Sequence, residues 1–325
     1  MPPLYHLAKI TYQPVFSCFI QNSPHIRIGN TYMITRIVIK ALRPFLLISL
    51  LTTYILGAGL VQYIRNFRGS GELIQGGLFL LFSVIGFELL RVNQSLRDAR
   101  NWPEDAKLNE IKRTRWLIAL LAATLITVAA TIFVDWMVRG VLWQGMVFLV
   151  ISFFVTCAIY YLSEYNQSLQ PFKILIEVFL FVVFPPAFAF FIQSSEPHPL
   201  LTMVVVGLMP AFLAYRLLIQ LKSYTDDQRS GRITFVTYVG WQKAMVLHNA
   251  LILLGYLIFA FTTLIGFPWF LLWPVFLTLP IGLVEIWLME RVRHGTKPLW
   301  RLMQFATASV FFIPMYLLGF AFWIR

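Results

Sequence analysis

The sequence predicts an all-α, polytopic membrane protein of about nine transmembrane helices around a central cavity, and three observations predict it. Hydrophobic residues make up 59% of the 325-residue chain and charged residues only 12%, against roughly a quarter charged in an ordinary soluble domain. The apolar residues fall in successive runs, each near the roughly 20 residues that cross the hydrocarbon core. Lys and Arg collect in the short segments between alternate runs. Water is therefore not the main solvent of this chain. The net charge of +12 points to anionic membrane lipids and to membrane orientation rather than to nucleic acid. Cys18 and Cys157 are the two cysteines, which excludes a disulfide framework and a Cys-based metal site.

Residues 1–38 mix polar and apolar types without a long hydrophobic run, and no small-residue cleavage site follows an apolar stretch. They read as an N-terminal extension, dispensable if the chain starts at Met33. Residues 39–325 form the membrane domain, with spans expected at 42–64, 71–93, 115–138, 140–162, 171–193, 199–221, 243–264, 267–289 and 302–324. Each is bounded by charge, Gly or Pro. Unsatisfied backbone groups are so costly in lipid that every run is expected to be helical, whatever its β-branched or aromatic content. Pro185, Pro186, Pro210, Pro274 and Pro280 predict kinks within them. A faint repeat relates "LRPFLLISLL" at the first span to "LQPFKILIEVFLF" at the fifth.

With nine spans, the loops after the second, fourth, sixth and eighth share a face with the N-terminus. These loops hold Arg97, Arg100, Lys222, Arg229 and Arg232, together with Arg291, Arg293, Lys297 and Arg301, while the opposite loops hold little beyond Arg65, Arg68 and Arg139. The positive-inside rule places the N-terminus in the cytoplasm and the C-terminus on the opposite side.

Acidic residues are scarce, so their positions are informative. Asp98, Glu104 and Asp105 follow the second span, and Asp226 and Asp227 follow the sixth, all among Arg97, Arg100, Lys222, Arg229 and Arg232. Carboxylates mixed with fixed cations at the mouth of a helical bundle suit a diphosphate. Hard oxygens hold Mg²⁺, which bridges phosphate oxygens, and Arg and Lys meet the remaining charge. The alternative is that these are solvated loop charges that terminate helices.

The two polar segments, "RVNQSLRDARN" and "LKSYTDDQRSGRITFVTYVG", resemble the two Asp-rich motifs of the UbiA superfamily of intramembrane prenyltransferases. The "RPFLL" opening of the first span is also similar to that family. Gly231, Arg232 and Thr234 match the tail of its second motif, and Asp227 stands four residues before the Gly, where the family keeps an Asp. The resemblance covers residues 40–325 and is nearest to menaquinone-pathway or carotenoid-modifying members. It implies a Mg²⁺-dependent enzyme that moves a prenyl group from a polyprenyl diphosphate to a lipophilic aromatic or polyene acceptor, as in quinone biosynthesis. It further implies catalytic roles for Asp98, Asp226 and Asp227, metal ligation by these with Asn93 and Gln94, and diphosphate contacts from Asn93, Arg97, Arg100, Lys222, Arg229 and Arg232. Ser223, Gln94 and Asn101 replace carboxylates of the family pattern, which predicts weaker Mg²⁺ binding. A degenerate relative that only binds isoprenoids is one alternative reading.

A transporter is another, because Glu88 and Glu177 lie inside spans, where ionisable groups are costly and mark functional paths. The structural reading of the same residues is an ion pair that fixes packing, either between helices or local, with Arg91 close to Glu88 and Lys173 one turn before Glu177. Glu285 and Asp135 lie near span ends and are expected to snorkel to the headgroups. His248 has no acidic residue within a helical turn and is expected to be a satisfied interhelical donor. Phosphate-cradling Gly loops, dinucleotide fingerprints, nucleophile elbows and His clusters with metal spacing do not occur in this sequence.

Overall fold

The computed structural model describes residues 43–65, 67, 69–98, 108–163 and 166–324, with side chains for all of these except 95–98 and 108–111. The extension at 1–38 and the loop residues Arg100, Asn101, Glu104 and Asp105 lie outside the described residues. Among the described residues the chain is all-helical, and nine helices are long and apolar enough to cross a membrane. They are α1 (Pro44–Tyr63), α2 (Ser70–Asp98), α3 (Leu108–Val138), α4 (Gln144–Leu162), α5 (Lys173–Phe191), α6 (Pro199–Arg229), α7 (Trp241–Leu264), α8 (Trp269–Arg293) and α9 (Trp300–Ile324). All nine expected spans are therefore present, and the molecule is an integral, multi-pass membrane protein.

Burial sorts the helices into a centre and a periphery. About 72% of the apolar window of α5 is buried, against 17% for α3, so α5 is an internal strut and α3 faces outward. α1 packs on α5 and α9, α6 packs on α7, α9 and α5, and α3 packs mainly on α2. Near the chain's first described residues, Phe45 stacks on Tyr215 with ring centroids 3.6 Å apart and meets Phe312 edge-on at 5.0 Å. A second aromatic group gathers Trp136, Phe153, Phe154 and Phe188 around Phe79. Offset and edge-on arrangements of this kind follow from the ring quadrupole.

The prolines act where the sequence places them. A five-residue π segment, Phe179–Val183, precedes Pro185 and Pro186 in α5. A proline ring clashes with the carbonyl four residues back and brings no N–H, and a π segment absorbs the mismatch. In α8 the helix narrows to a 3-10 segment, Trp273–Thr278, that holds Pro274, and α geometry resumes at Leu279 with Pro280 in its first turn. Pro210 stays inside a continuous α6.

At the crossing of α1 and α5, a Cβ built on Gly57 would lie 2.4 Å from the Pro186 carbonyl oxygen. Only a missing side chain lets the two backbones meet there. Gly57→Ala should lower the thermal midpoint of the purified protein by an amount equivalent to about 1–3 kcal/mol, whereas Gly71→Ala, with nothing within 4 Å of its Cβ, should leave it unchanged. A thermal melt in detergent followed by circular dichroism measures both.

Candidate functional site

The helices alternate in direction, so the start of α1 and α5 and the ends of α2, α4 and α6 share one face of the bundle. Side-chain contacts confirm this, because a buried chain of polar groups joins all five helices there. Glu88 on α2 pairs with Arg91 one turn later, at 2.7 Å. The hydroxyl of Tyr160 on α4 donates to Glu88 Oε1 at 3.1 Å and accepts from Arg43 Nη1 at 2.7 Å. Arg43 also reaches Glu177 Oε1 on α5 at 3.0 Å. Arg216 on α6 grips the same carboxylate through two bonds, Nε to Oε2 at 2.6 Å and Nη2 to Oε1 at 3.0 Å. Glu177 is only 1% exposed, and in such a place a carboxylate persists only with cations and hydrogen-bond donors around it.

The local chain explains why these groups converge. Arg43 has φ +47° and ψ +70°, a left-handed conformation that costs a non-glycine residue roughly 1–3 kcal/mol. It precedes Pro44, whose ring disfavours right-handed helical geometry in the residue before it. The backbone thus turns at Arg43, and the guanidinium points back to Tyr160 and Glu177. Lys173 lies one turn before Glu177, but its ammonium sits 4.5 Å over the Tyr160 ring. Glu177 is thus held across helices by the two arginines, and the expected Glu88–Arg91 pair is present.

Around this inner chain lie the residues singled out by motif. Asn93 keeps its Oδ1 buried without a hydrogen-bond partner among the described residues, as does Arg115 Nε on the facing helix α3. Gln94 is engaged by the Tyr161 hydroxyl. On α6, Asp227 is buried, and Ser223, one turn earlier, donates to its Oδ2 at 2.8 Å. Its Oδ1 lies 3.7 Å from Arg232 Nη1. Asp226 is exposed on another side of the helix, as is Arg229, and Lys222 turns toward α9, where its Nζ donates to Gln304 at 3.2 Å. Lys222 thereby lines an open groove of about 500 Å³ with Leu299, Trp300, Arg301 and Leu302. The backbone of Arg97 and Asp98 completes α2, but their side chains lie outside the described residues.

The Gly-Arg-x-Thr tail of the second motif has a complete local account. α6 ends with Gly231 at φ +66°, a conformation that only glycine adopts cheaply. The Arg232 N–H reaches the Asp227 carbonyl at 2.9 Å and the Gly231 N–H reaches that of Gln228 at 3.2 Å, the paired bonds of a Schellman stop. Thr234 then caps the short helix Phe235–Val239 in a capping box with Thr237. This turn folds Arg232 back over Asp227.

Two further expectations need correction. Glu285 does not snorkel: it is fully buried and faces His248 across α7 and α8, with Oε1 3.8 Å from Nε2. His248 bonds not across helices but to Asn249 beside it on α7, through Nδ1 at 3.3 Å, and its Nε2 has no hydrogen-bond partner among the described residues. Sequence distance hid the pair, because 37 residues of chain separate them. Asp135 does lie half-exposed at the end of α3, paired with Arg139. Arg43, Tyr160 and Arg216 were not singled out at all. Arg216 carried a usable signal, an arginine deep in an apolar span, whereas nothing in the sequence marks Tyr160.

The described donors were tested against Mg²⁺, which takes hard oxygens in octahedral geometry. Asn93 Oδ1, without a partner among the described residues, and Asp227 Oδ1, with one loose contact, fit that chemistry. Asp226 is exposed, and Gln94 Oε1 accepts from the Tyr161 hydroxyl. Among the described residues no three His, Cys, Asp or Glu side chains form a metal-binding group.

Neither a family model nor a curated protein sequence matches this chain. A solved structure of a UbiA homolog from Archaeoglobus fulgidus, bound to GPP and Mg²⁺, is similar at 12% identity and a TM-score of 0.45, over 89% of this chain and 100% of that one.

Replacing Glu177 by Gln would leave Arg43 and Arg216 without their shared counter-charge. The expected loss is about 3–5 kcal/mol of stability, read as a large drop in thermal midpoint. Asp135→Asn, at a half-exposed pair, should cost roughly 0–1 kcal/mol in the same assay.

Proposed function

We propose that this protein is a UbiA-like prenyltransferase that takes a polyprenyl diphosphate at the face where α2 and α6 end, and passes its prenyl group to a lipophilic acceptor in the membrane. By the positive-inside rule that face is cytoplasmic. The observation that carries the reading is Asn93. An asparagine at a motif position holds a buried oxygen without a partner among the described residues, and a buried acceptor left unsatisfied costs about 1–3 kcal/mol unless a ligand completes it. The sequence motifs support it independently, as does Arg232, folded back beside Asp227 where a phosphate oxygen would find a cation and a diphosphate-bound metal would find a carboxylate.

In this reading, Asn93 and Asp227, with Asp98, would hold Mg²⁺, whose charge would offset that of the diphosphate leaving group. Arg232 and the cations of the α2–α3 loop bind the remaining oxygens. The buried chain from Glu88 to Arg216 does not touch the ligand; it fixes the relative position of the helix ends that do. Aromatic residues beneath, such as Phe45 and Tyr215, exclude water and present ring faces to developing positive charge.

A second reading, an isoprenoid-binding relative without catalysis, is favoured by one observation. Ser223 fills a carboxylate position and its hydroxyl bonds to Asp227, so a possible metal ligand is replaced by a protein hydrogen bond.

Purified protein incubated with labelled prenyl diphosphates, with and without Mg²⁺, separates the two. Binding with diphosphate release in the presence of an acceptor supports the transferase, and binding without release supports the second reading. No binding at any chain length would remove both. Asn93→Ala should weaken binding about tenfold, the loss expected from one polar contact of ~1.4 kcal/mol. Ser223→Asp brings a second carboxylate against Asp227, so its thermal midpoint should fall without Mg²⁺ and rise with added Mg²⁺ more than that of the wild type.

A further inference from the structure

The seam between α7 and α8 contains a pair of ionisable groups that the proposed function does not use. His248 and Glu285 are both 0% exposed and lie 3.8 Å apart. Three of their polar atoms, His248 Nε2 and both oxygens of Glu285, are buried without a hydrogen-bond partner among the described residues. His248 lies about 10 Å in from the start of α7 at 1.5 Å per residue, within the membrane-spanning part of the helix.

The tautomer follows from the neighbours. With Asn249 Oδ1 at 3.3 Å as an acceptor, the Nδ1-protonated tautomer makes that bond and leaves Nε2 a lone pair; in either tautomer the neutral ring gives an ionised Glu285 no counter-charge. An ionised Glu285 would present only lone pairs as well. Two acceptors then face each other in a seam closed to bulk solvent, where a lone carboxylate is costly. One added proton resolves both problems: on Glu285 it gives a donor aimed at Nε2, and on Nε2 it gives an imidazolium beside a carboxylate. Either arrangement has no net charge. Thr307 on α9 bonds the Met303 carbonyl at 2.9 Å and lies beside Glu285, but a neutral hydroxyl leaves the charge of an ionised Glu285 uncompensated. The Tyr256 and Thr278 hydroxyls on α7 and α8 bond each other at 2.9 Å, and Arg216 on α6 is held by Glu177.

The geometry points to an intramembrane proton-binding site at His248 and Glu285, holding one proton between α7 and α8 and closing that seam when loaded. The site is independent of the diphosphate reading.

Vibrational and magnetic-resonance spectra of the full chain in lipid nanodiscs test it. At neutral pH, one of two signals is expected: a protonated-carboxylic-acid stretch that disappears in Glu285→Gln, or an imidazolium resonance, in isotope-labelled histidine, that disappears in His248→Gln. Neither signal, or both together, would overturn the inference, since the pair would then hold no proton or two. Thermal melts give an independent readout. The wild-type midpoint should fall at strongly alkaline pH, where the proton leaves. Glu285→Gln, whose amide supplies a permanent donor to Nε2, should lose this fall. Equal falls in both proteins would also overturn it. Should His248→Gln not fold, the Glu285→Gln spectra and melts alone decide.

Discussion

A carboxylate deep in an apolar bundle organises one end of this molecule. Glu177 is reached by Arg43 from α1 and by Arg216 from α6, and Tyr160 carries the network on to Glu88 and Arg91 of α2. A buried charge of this kind is not a strong source of stability compared with apolar packing, but breaking it is expensive. It therefore acts as a constraint on geometry. Helices that share few direct contacts, such as α2 and α6, are held in register through it, and both carry the polar segments that the proposed function would use.

The same logic explains why the strained backbone at Arg43 persists. The left-handed turn ahead of Pro44 sends the guanidinium inward, and the two hydrogen bonds it makes there offset the conformational cost. The end of α6 uses the opposite device. Gly231 reverses the chain without strain, and the turn aims Arg232 at Asp227. One polar end is thus positioned by a strained residue and the other by a relaxed one, and both deliver arginines to carboxylates.

The opposite half of the bundle shows what happens when the partner of a buried acid is not an arginine. Glu285 meets an imidazole, whose charge depends on a proton. The network around Glu177 has permanent cations and satisfied bonds, whereas the seam at His248 has unpartnered atoms on both sides. Permanent charge makes the first a fixed scaffold; a removable proton makes the second a place where the fold can respond.

The sequence by itself determined the fold class, the nine spans and the places where prolines interrupt helical geometry, because hydrocarbon thickness and backbone satisfaction leave a chain of this composition one solution. It also marked Asp227, Asn93 and the Gly231 turn, whose signals are local. Tertiary structure alone decided which charges meet. The sequence left Glu177 between a pair across helices and a local one with Lys173, and only the fold shows Arg43 and Arg216 holding it from 134 and 39 residues away. It sent Glu285 to the headgroups, yet rotation of α8 buries it against His248. Helical periodicity tells which residues share a face, but how each helix is turned toward its neighbours depends on packing between distant segments, and in a bilayer that rotation separates an acid that reaches the headgroups from one that needs a buried partner.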